Sequence, residues 1–205
     1  MLKRNLDRKR KTKEPCSRCG LHLSRCVCSM IPKLDLKTRV LLVIHAKELK
    51  RTTNSGRLAL QALTNSALRV RGEGRVSLDL TPDLDTHYET VVLYPSEDAI
   101  ELSELNATKP IQLIVPDGNW RQAGKMKGRQ PELNGLKSVK VSAVMPSTGQ
   151  TLRKEHFEGG KSTLEAIAQA LHVLEGAEAS GPLFALYRAK LEATLEGRGV
   201  VPAYT

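Results

Sequence analysis

An α/β fold, a mostly parallel sheet with flanking helices, is what this 205-residue chain predicts, and three observations carry it. Short aliphatic, β-branched runs alternate with segments of helical period, the order expected of βαβ units. Several of the runs stop at a proline with Gly, Ser or Asp close behind. The length suffices for one such domain and a small appendage. Aromatics make up only 3% of the chain, so Leu, Val, Ile and Ala must fill the interior.

Taken in order, residues 1–14 read as a flexible basic arm, 15–32 as a compact Cys-rich segment closed by Pro32, and 33–205 as the α/β domain. Residues 39–44 are a strand, an apolar run rich in β-branched side chains. A helix is predicted over 56–68, with Leu58, Ala62 and Leu63 at helical spacing and Asn54 as its cap. Residues 91–94 form a second strand, stopped by Pro95, and Ser96 is placed to cap a helix over 97–105. A third strand covers 111–115 before Pro116, and a fourth 138–144 before Pro146. Ser162-Thr163-Leu164-Glu165 is a capping box, followed by an apolar face of Leu164, Ile167, Ala168, Leu171 and Leu174. Gly181-Pro182 opens a final helix to about Leu195. Strands thus end in loops at 94–96, 116–118 and 146–149, and ligands of open α/β sheets gather at such carboxyl ends.

The formal net charge is +10, which points to a polyanionic partner. Seven of the first thirteen residues are Lys or Arg, among them Lys9, Arg10 and Lys11. Such a run is most simply a solvated tail, yet a tail of this kind also grips phosphates without sequence preference. No apolar run approaches the roughly 18 residues of a membrane span, and the N-terminus lacks a secretory apolar core. A cytoplasmic protein is expected.

All four cysteines fall between positions 16 and 28, as Cys16-Ser-Arg-Cys19 and Cys26-Val-Cys28. Thiolates at these spacings suit one tetrahedral zinc ion. Two disulfides are disfavoured in a reducing compartment, and a redox pair has no need of two further cysteines. Four thiolates leave no position for water, so the metal is expected to be structural. With the basic arm beside it, the knuckle suits docking of RNA, and Arg18 and Arg25 are its candidate contacts.

A buried run, 111–115, delivers Asp117, Gly118, Asn119 and the only tryptophan, Trp120, into one loop. Read alone, the loop is equally a capped helix start, with Asp117 or Asn119 as the cap and Trp120 in the core. In wider context the sequence resembles the DTW-domain family, named for an Asp-x-Thr-Trp motif and made up of tRNA-uridine aminocarboxypropyltransferases. The likeness runs in order through Cys16 to Cys28, His45-Ala-Lys-Glu48, Thr53-Asn54-Ser55-Gly56, Tyr94-Pro95-Ser96, Asp117-Gly118-Asn119-Trp120, Leu152-Arg153 and Ser162-Thr163-Leu164-Glu165-Ala166. Asn119 departs from it, standing where the family has Thr.

The resemblance implies transfer of the 3-amino-3-carboxypropyl group of S-adenosylmethionine to N3 of a tRNA uridine, with release of methylthioadenosine. It also implies a SPOUT-like fold with a C-terminal knot, the knot being nothing that periodicity could reveal. On that footing Leu93, Tyr94, Pro95, Ser96, Val115, Pro116, Asp117, Gly118, Trp120 and Leu152 are expected around the cofactor, with Ser162 and Thr163 at its carboxylate through helix amides. Asp117 is expected either to accept the N3 proton or to bind the cofactor's amino group, with His45 and Glu48 as weaker candidates. Trp120 either stacks on the target base or packs in the core. Arg121 and Arg153 join the expected RNA contacts, and the partner is tRNA, bound by a monomer. The rival readings are the same transfer to ribosomal RNA, a SPOUT-type RNA methyltransferase, and a zinc-stapled RNA binder without catalysis.

Overall fold

The computed structural model describes residues 12–49, 51–74, 77–142 and 161–200. Its centre is a six-stranded sheet with every pairing parallel, in the order β2-β1-β5-β3-β6-β4. The strands are β1 (Arg39–His45), β2 (Ser66–Arg71), β3 (Glu89–Leu93), β4 (Ile100–Glu101), β5 (Ile111–Asp117) and β6 (Ser138–Lys140). The helices are α1 (Gly56–Ala62), α2 (Trp120–Arg129), α3 (Thr163–Glu175) and α4 (Ala177–Glu196). No helix among the described residues is long and apolar enough to cross a membrane.

The central strands are apolar on both faces because both faces are covered. Val40, Leu42, Leu113 and Val115 belong to a core shared with α1, α3 and α4. Leu41, Val43 and Ile114 face the other way, onto Met126 of α2, Leu80 and Leu133. The knuckle joins the larger core through Cys19, Leu21 and Val27, all buried.

Four elements differ from expectation. The helix expected over 56–68 ends at Ala62, and Ser66 begins β2. Helical spacing was satisfied by seven residues, after which the Asn65 carboxamide bonds Leu36 O and Lys37 O and turns the chain into the sheet. The helix expected over 97–105 is absent: Ile100–Glu101 pairs with β6 as an edge strand, and a single 3-10 turn follows. Strand β5 passes through Pro116 to Asp117. Its ladder to β3 ends at Val92–Ile114, so Pro116 has a strand neighbour on one side only, where a sheet tolerates proline. Helix α4 starts at Ala177, upstream of Pro182. The early turn is held by Ser180, whose hydroxyl donates to Ala177 O and lies 2.9 Å from His172 Nδ1. By contrast α3 has the expected capping box and buried face. Strand β6 is assigned as far as Lys140. The expected knot depends on the path of residues 143–160, which lie outside the described residues, as do the loop 146–149 and the basic residues 1–11.

Candidate functional site

Because every strand is parallel, β1, β3 and β5 release their chains at one edge of the sheet. Ile44 and Asp117 lie opposite one another at that edge, so the segment leaving β1 meets the end of β5. After a 3-10 turn, Ala46–Glu48, the chain reaches Asn54 and Ser55, both buried.

Asp117, 4% exposed, is where three distant segments meet. Its Oδ2 accepts from Asn54 Nδ2 at 2.6 Å, and its Oδ1 accepts from Thr163 Oγ1 at 2.7 Å. Ser55 Oγ accepts from the Leu164 amide at 3.1 Å, and Asn54 Oδ1 from the Arg57 amide at 3.2 Å. A carboxylate, a carboxamide and two hydroxyls thus lock the starts of α1 and α3 to the end of β5. Gly56 makes the approach possible. A Cβ there would stand 2.8 Å from Asp117 Oδ2, 3.0 Å from Leu42 Cδ2 and 3.1 Å from Thr163 Cγ2.

Beyond Asp117 the loop is short. Asn119 caps α2, its Oδ1 accepting from the Gln122 amide at 2.9 Å while Gln122 Oε1 accepts from the Asn119 amide at 2.8 Å. Threonine is also a capping residue, so Asn119 fills a role for which the family's Thr is equally built. The same cap leaves Trp120 outside the core, 37% exposed, with its ring centroid 6.2 Å from that of Tyr94 and tilted by 56°. The Tyr94 hydroxyl fits against Gly124, where a Cβ would come within 2.9 Å. Two aromatic rings, one from each neighbouring loop, thus stand together near this edge.

Of the residues expected around a cofactor, the structure joins Asp117 to Thr163 and Tyr94 to Trp120. Val115 is buried, Leu93, Ser96, Pro116, Gly118 and Ser162 are half-buried, and Pro95 is exposed. At the start of α3 the Leu164 and Glu165 amides are taken by Ser55 and Ser162. His45 lies by β2: its Nδ1 accepts from the Lys47 amide at 3.1 Å, and its ring sits beside Gly72. Burial, then the charges of Lys47 and Arg71, pushes its pKa below the usual histidine value. Glu48 is fully buried, its Oε1 3.2 Å from Arg51 Nε. Arg18, Arg25 and Arg121 are exposed, with Arg25 3.8 Å from Glu196. Leu152, Arg153, Lys9, Arg10 and Lys11 lie outside the described residues.

The four cysteine sulfurs lie within 4.8 Å of one another. Cys16 and Cys28 are 3.6 Å apart, Cys16 and Cys26 3.5 Å, and Cys19 and Cys26 3.8 Å. Bonds of about 2.3 Å from zinc put tetrahedral sulfurs about 3.8 Å apart, so the cluster fits that ion. Backbone amides of Cys19 and Arg18 hold the Cys16 thiol down, to about 6. Burial and the neighbouring sulfurs push Cys28 up to about 12.

Two features escaped the sequence reading. Ser55 was not singled out as a binding group. Lys190 of α4 is fully buried, donating to Cys19 O at 2.6 Å and to Thr52 O at 3.1 Å. It bolts the knuckle to the loop that carries Asn54. Gly20, in the left-handed region at φ +74°, lets the two backbones touch: a Cβ there would lie 3.1 Å from Thr52 Cα. Burial pushes the Lys190 pKa below the usual lysine value. One signal was present, since Leu183, Leu186, Tyr187, Lys190 and Leu191 lie on one helical stripe.

Comparison with known proteins matches residues 13–195 to the DTW domain. A tRNA-uridine aminocarboxypropyltransferase 2 of Drosophila melanogaster is 32% identical over 169 residues, covering 78% of this chain and 66% of that protein. The protein of the same name from Macaca fascicularis is 27% identical, covering 80% of this chain and 58% of that protein. A tRNA-uridine aminocarboxypropyltransferase A of Arabidopsis thaliana is 24% identical, covering 78% and 72%. The chain thus spans somewhat less than two thirds of the length of the first two. No solved structure matches.

Proposed function

As this chain belongs to the DTW domain family, we propose that it is a transferase that moves the 3-amino-3-carboxypropyl group of S-adenosylmethionine to N3 of a tRNA uridine. Methylthioadenosine leaves, and the enzyme works as a monomer in the cytoplasm. The observation that carries this reading is the junction at Asp117, where Asn54 and Thr163 converge at the carboxyl edge of a parallel sheet.

S-adenosylmethionine brings a methylene made electrophilic by its sulfonium; the N3–carbon bond forms as the carbon–sulfur bond breaks, with the electron pair left on sulfur. The chain's contribution is then chiefly positioning. Of its two expected roles, Asp117 fits the holding one better. Its two oxygens accept from Asn54 and Thr163, which fixes a negative charge in place to attract the donor's ammonium group. The Thr163 amide, at the first position of α3, suits the donor's carboxylate, since the next two amides are occupied. Trp120 and Tyr94 offer an aromatic wall for adenine or the target base, which must leave its stack to react. The N3 proton passes to solvent.

The knuckle residues Cys16, Cys19, Cys26 and Cys28 would hold zinc, and four thiolates make its contribution rigidity rather than Lewis acidity. Arg121, exposed in the first turn of α2, is assigned to RNA. Incubating the zinc-loaded protein with unmodified tRNA and labelled S-adenosylmethionine should release methylthioadenosine and add an aminocarboxypropyl mass to uridine. A methyl adduct, or label on ribosomal RNA alone, would overturn the reading.

A further inference from the structure

Between the knuckle, α1 and the free edge of β2 lies a cleft of about 400 Å³ that the proposed reaction does not use. One wall is the knuckle turn at Ser17 and Arg18, the other is α1 with Arg57 and Gln61, and the edge of β2 at Ser66 and Leu68 forms the floor. Among the described strands, β2 has β1 as its only neighbour.

Two contacts make this a built groove. Arg18 Nε donates to Gln61 Oε1 at 3.0 Å, and Gln61 Nε2 donates back to Arg18 O at 3.2 Å. This clasp fixes the Arg18 guanidinium against the second wall through Nε and keeps its terminal nitrogens for a ligand. Arg57 is held by Leu49 O, which accepts from Nη1 at 3.2 Å. Among the described residues neither arginine is in an ion pair and no acidic side chain lines the cleft. Two exposed guanidinium groups, each oriented by a hydrogen bond and with no carboxylate opposite among the described residues, suit an anion, and planar forks match phosphate oxygens. The volume is several times that of a phosphate and suits a nucleotide.

The position of the groove decides which anion. The Arg57 amide donates to Asn54 Oδ1, and the Asn54 carboxamide donates to Asp117. The α1 wall of the groove is therefore two hydrogen bonds from Asp117, and the facing wall is the cysteine knuckle. We propose that this groove docks the single-stranded RNA flanking the target uridine, with Arg18 and Arg57 on successive phosphates and one nucleotide over the β2 edge. The inference rests on the tRNA-transferase reading and deepens it.

The test is binding of unmodified tRNA to the full zinc-loaded chain across a salt series. Arg18→Ala and Arg57→Ala should each flatten the slope of log K against log salt by roughly 0.7–0.9, and the double variant by about twice that. KM for tRNA should rise, while affinity for S-adenosylmethionine stays unchanged in Arg18→Ala. Arg188→Ala, exposed on α4, should keep the full slope. A photoreactive p-benzoylphenylalanine in place of Ser17 should crosslink to tRNA in the otherwise intact chain, which covers the case of a variant that fails to fold. Wild-type slopes in both variants with no crosslink from position 17 would overturn the groove, yet leave tRNA transfer standing. A chain that binds no tRNA at any salt overturns the transferase reading itself. Capture of an acidic peptide in place of RNA, competing at position 17, also sinks the groove as an RNA site.

Discussion

Replacing Lys190 by methionine keeps most of the side-chain volume and removes both hydrogen bonds made by the ammonium group. Cys19 O then loses its donor at a buried contact and Thr52 O at a part-buried one, at about 1–3 kcal/mol for each group, toward the low end for Thr52. Removing a buried cation returns part of that cost, so the net loss should be about 2–4 kcal/mol. For a chain of this size each kcal/mol shifts Tm by about 2–4 °C, which gives a fall of roughly 5–15 °C in the zinc-loaded protein. Cys19 also loses its backbone anchor, and such outer partners of a metal site are worth roughly 10–100-fold in metal affinity. Zinc competition against a chromophoric chelator, read beside calorimetry, measures both. Lys190→Arg should recover part of the metal affinity, because a guanidinium can still reach both carbonyls. If Lys190→Met keeps wild-type zinc affinity and melts within a degree of the parent, Lys190 is no bolt and the knuckle is held by its apolar contacts alone.

Gly56→Ala adds a methyl 2.8 Å from the Asp117 carboxylate. Its overpacking cost of about 1–3 kcal/mol exceeds the ~1 kcal/mol gained in helix propensity, so both Tm and methylthioadenosine release should drop. Asn119→Thr should leave stability within about 0.5 kcal/mol, whereas Asn119→Ala should lose about 1 kcal/mol of capping; denaturant titration separates them. Asp117→Asn should fold, since the amide can still meet Asn54 and Thr163, but should lose S-adenosylmethionine binding by calorimetry. His45 has its pKa lowered from 6.5 by burial, so the unfolded chain takes up its proton first. Its neutral form supports the fold above pH 6.5, and that support is lost as pH falls below 6.5. His45→Asn should flatten the chemical-denaturation profile over that range, and an unchanged profile would remove the assignment.

Strands β1 and β5 were legible because burial on both faces leaves an unbroken apolar run. Strand β2 was not: Ser66, Ala67, Leu68 and Arg69 carry neither a long apolar run nor a turn signal, and the helix just before them ends after two turns. The α3 capping box is a local motif and was readable to the residue. The link from Asn54 and Thr163 to Asp117 spans 63 and 46 positions, and no periodicity records such a distance. The family resemblance had named all three residues without saying that they touch. Lys190 was passed over because lysine is ordinarily a surface residue, although its helical stripe had marked the buried side.

The bond from Lys190 to Cys19 joins positions 171 apart, and that spacing bears on how the molecule is made. A growing chain exposes its cysteines long before α4 leaves the ribosome, and contacts this remote form late. Until then the four cysteines of the N-terminal module have no helix to lean on. The last helix acts as a latch on the first module, so a polypeptide released early would keep its thiols and lose the shape they belong to.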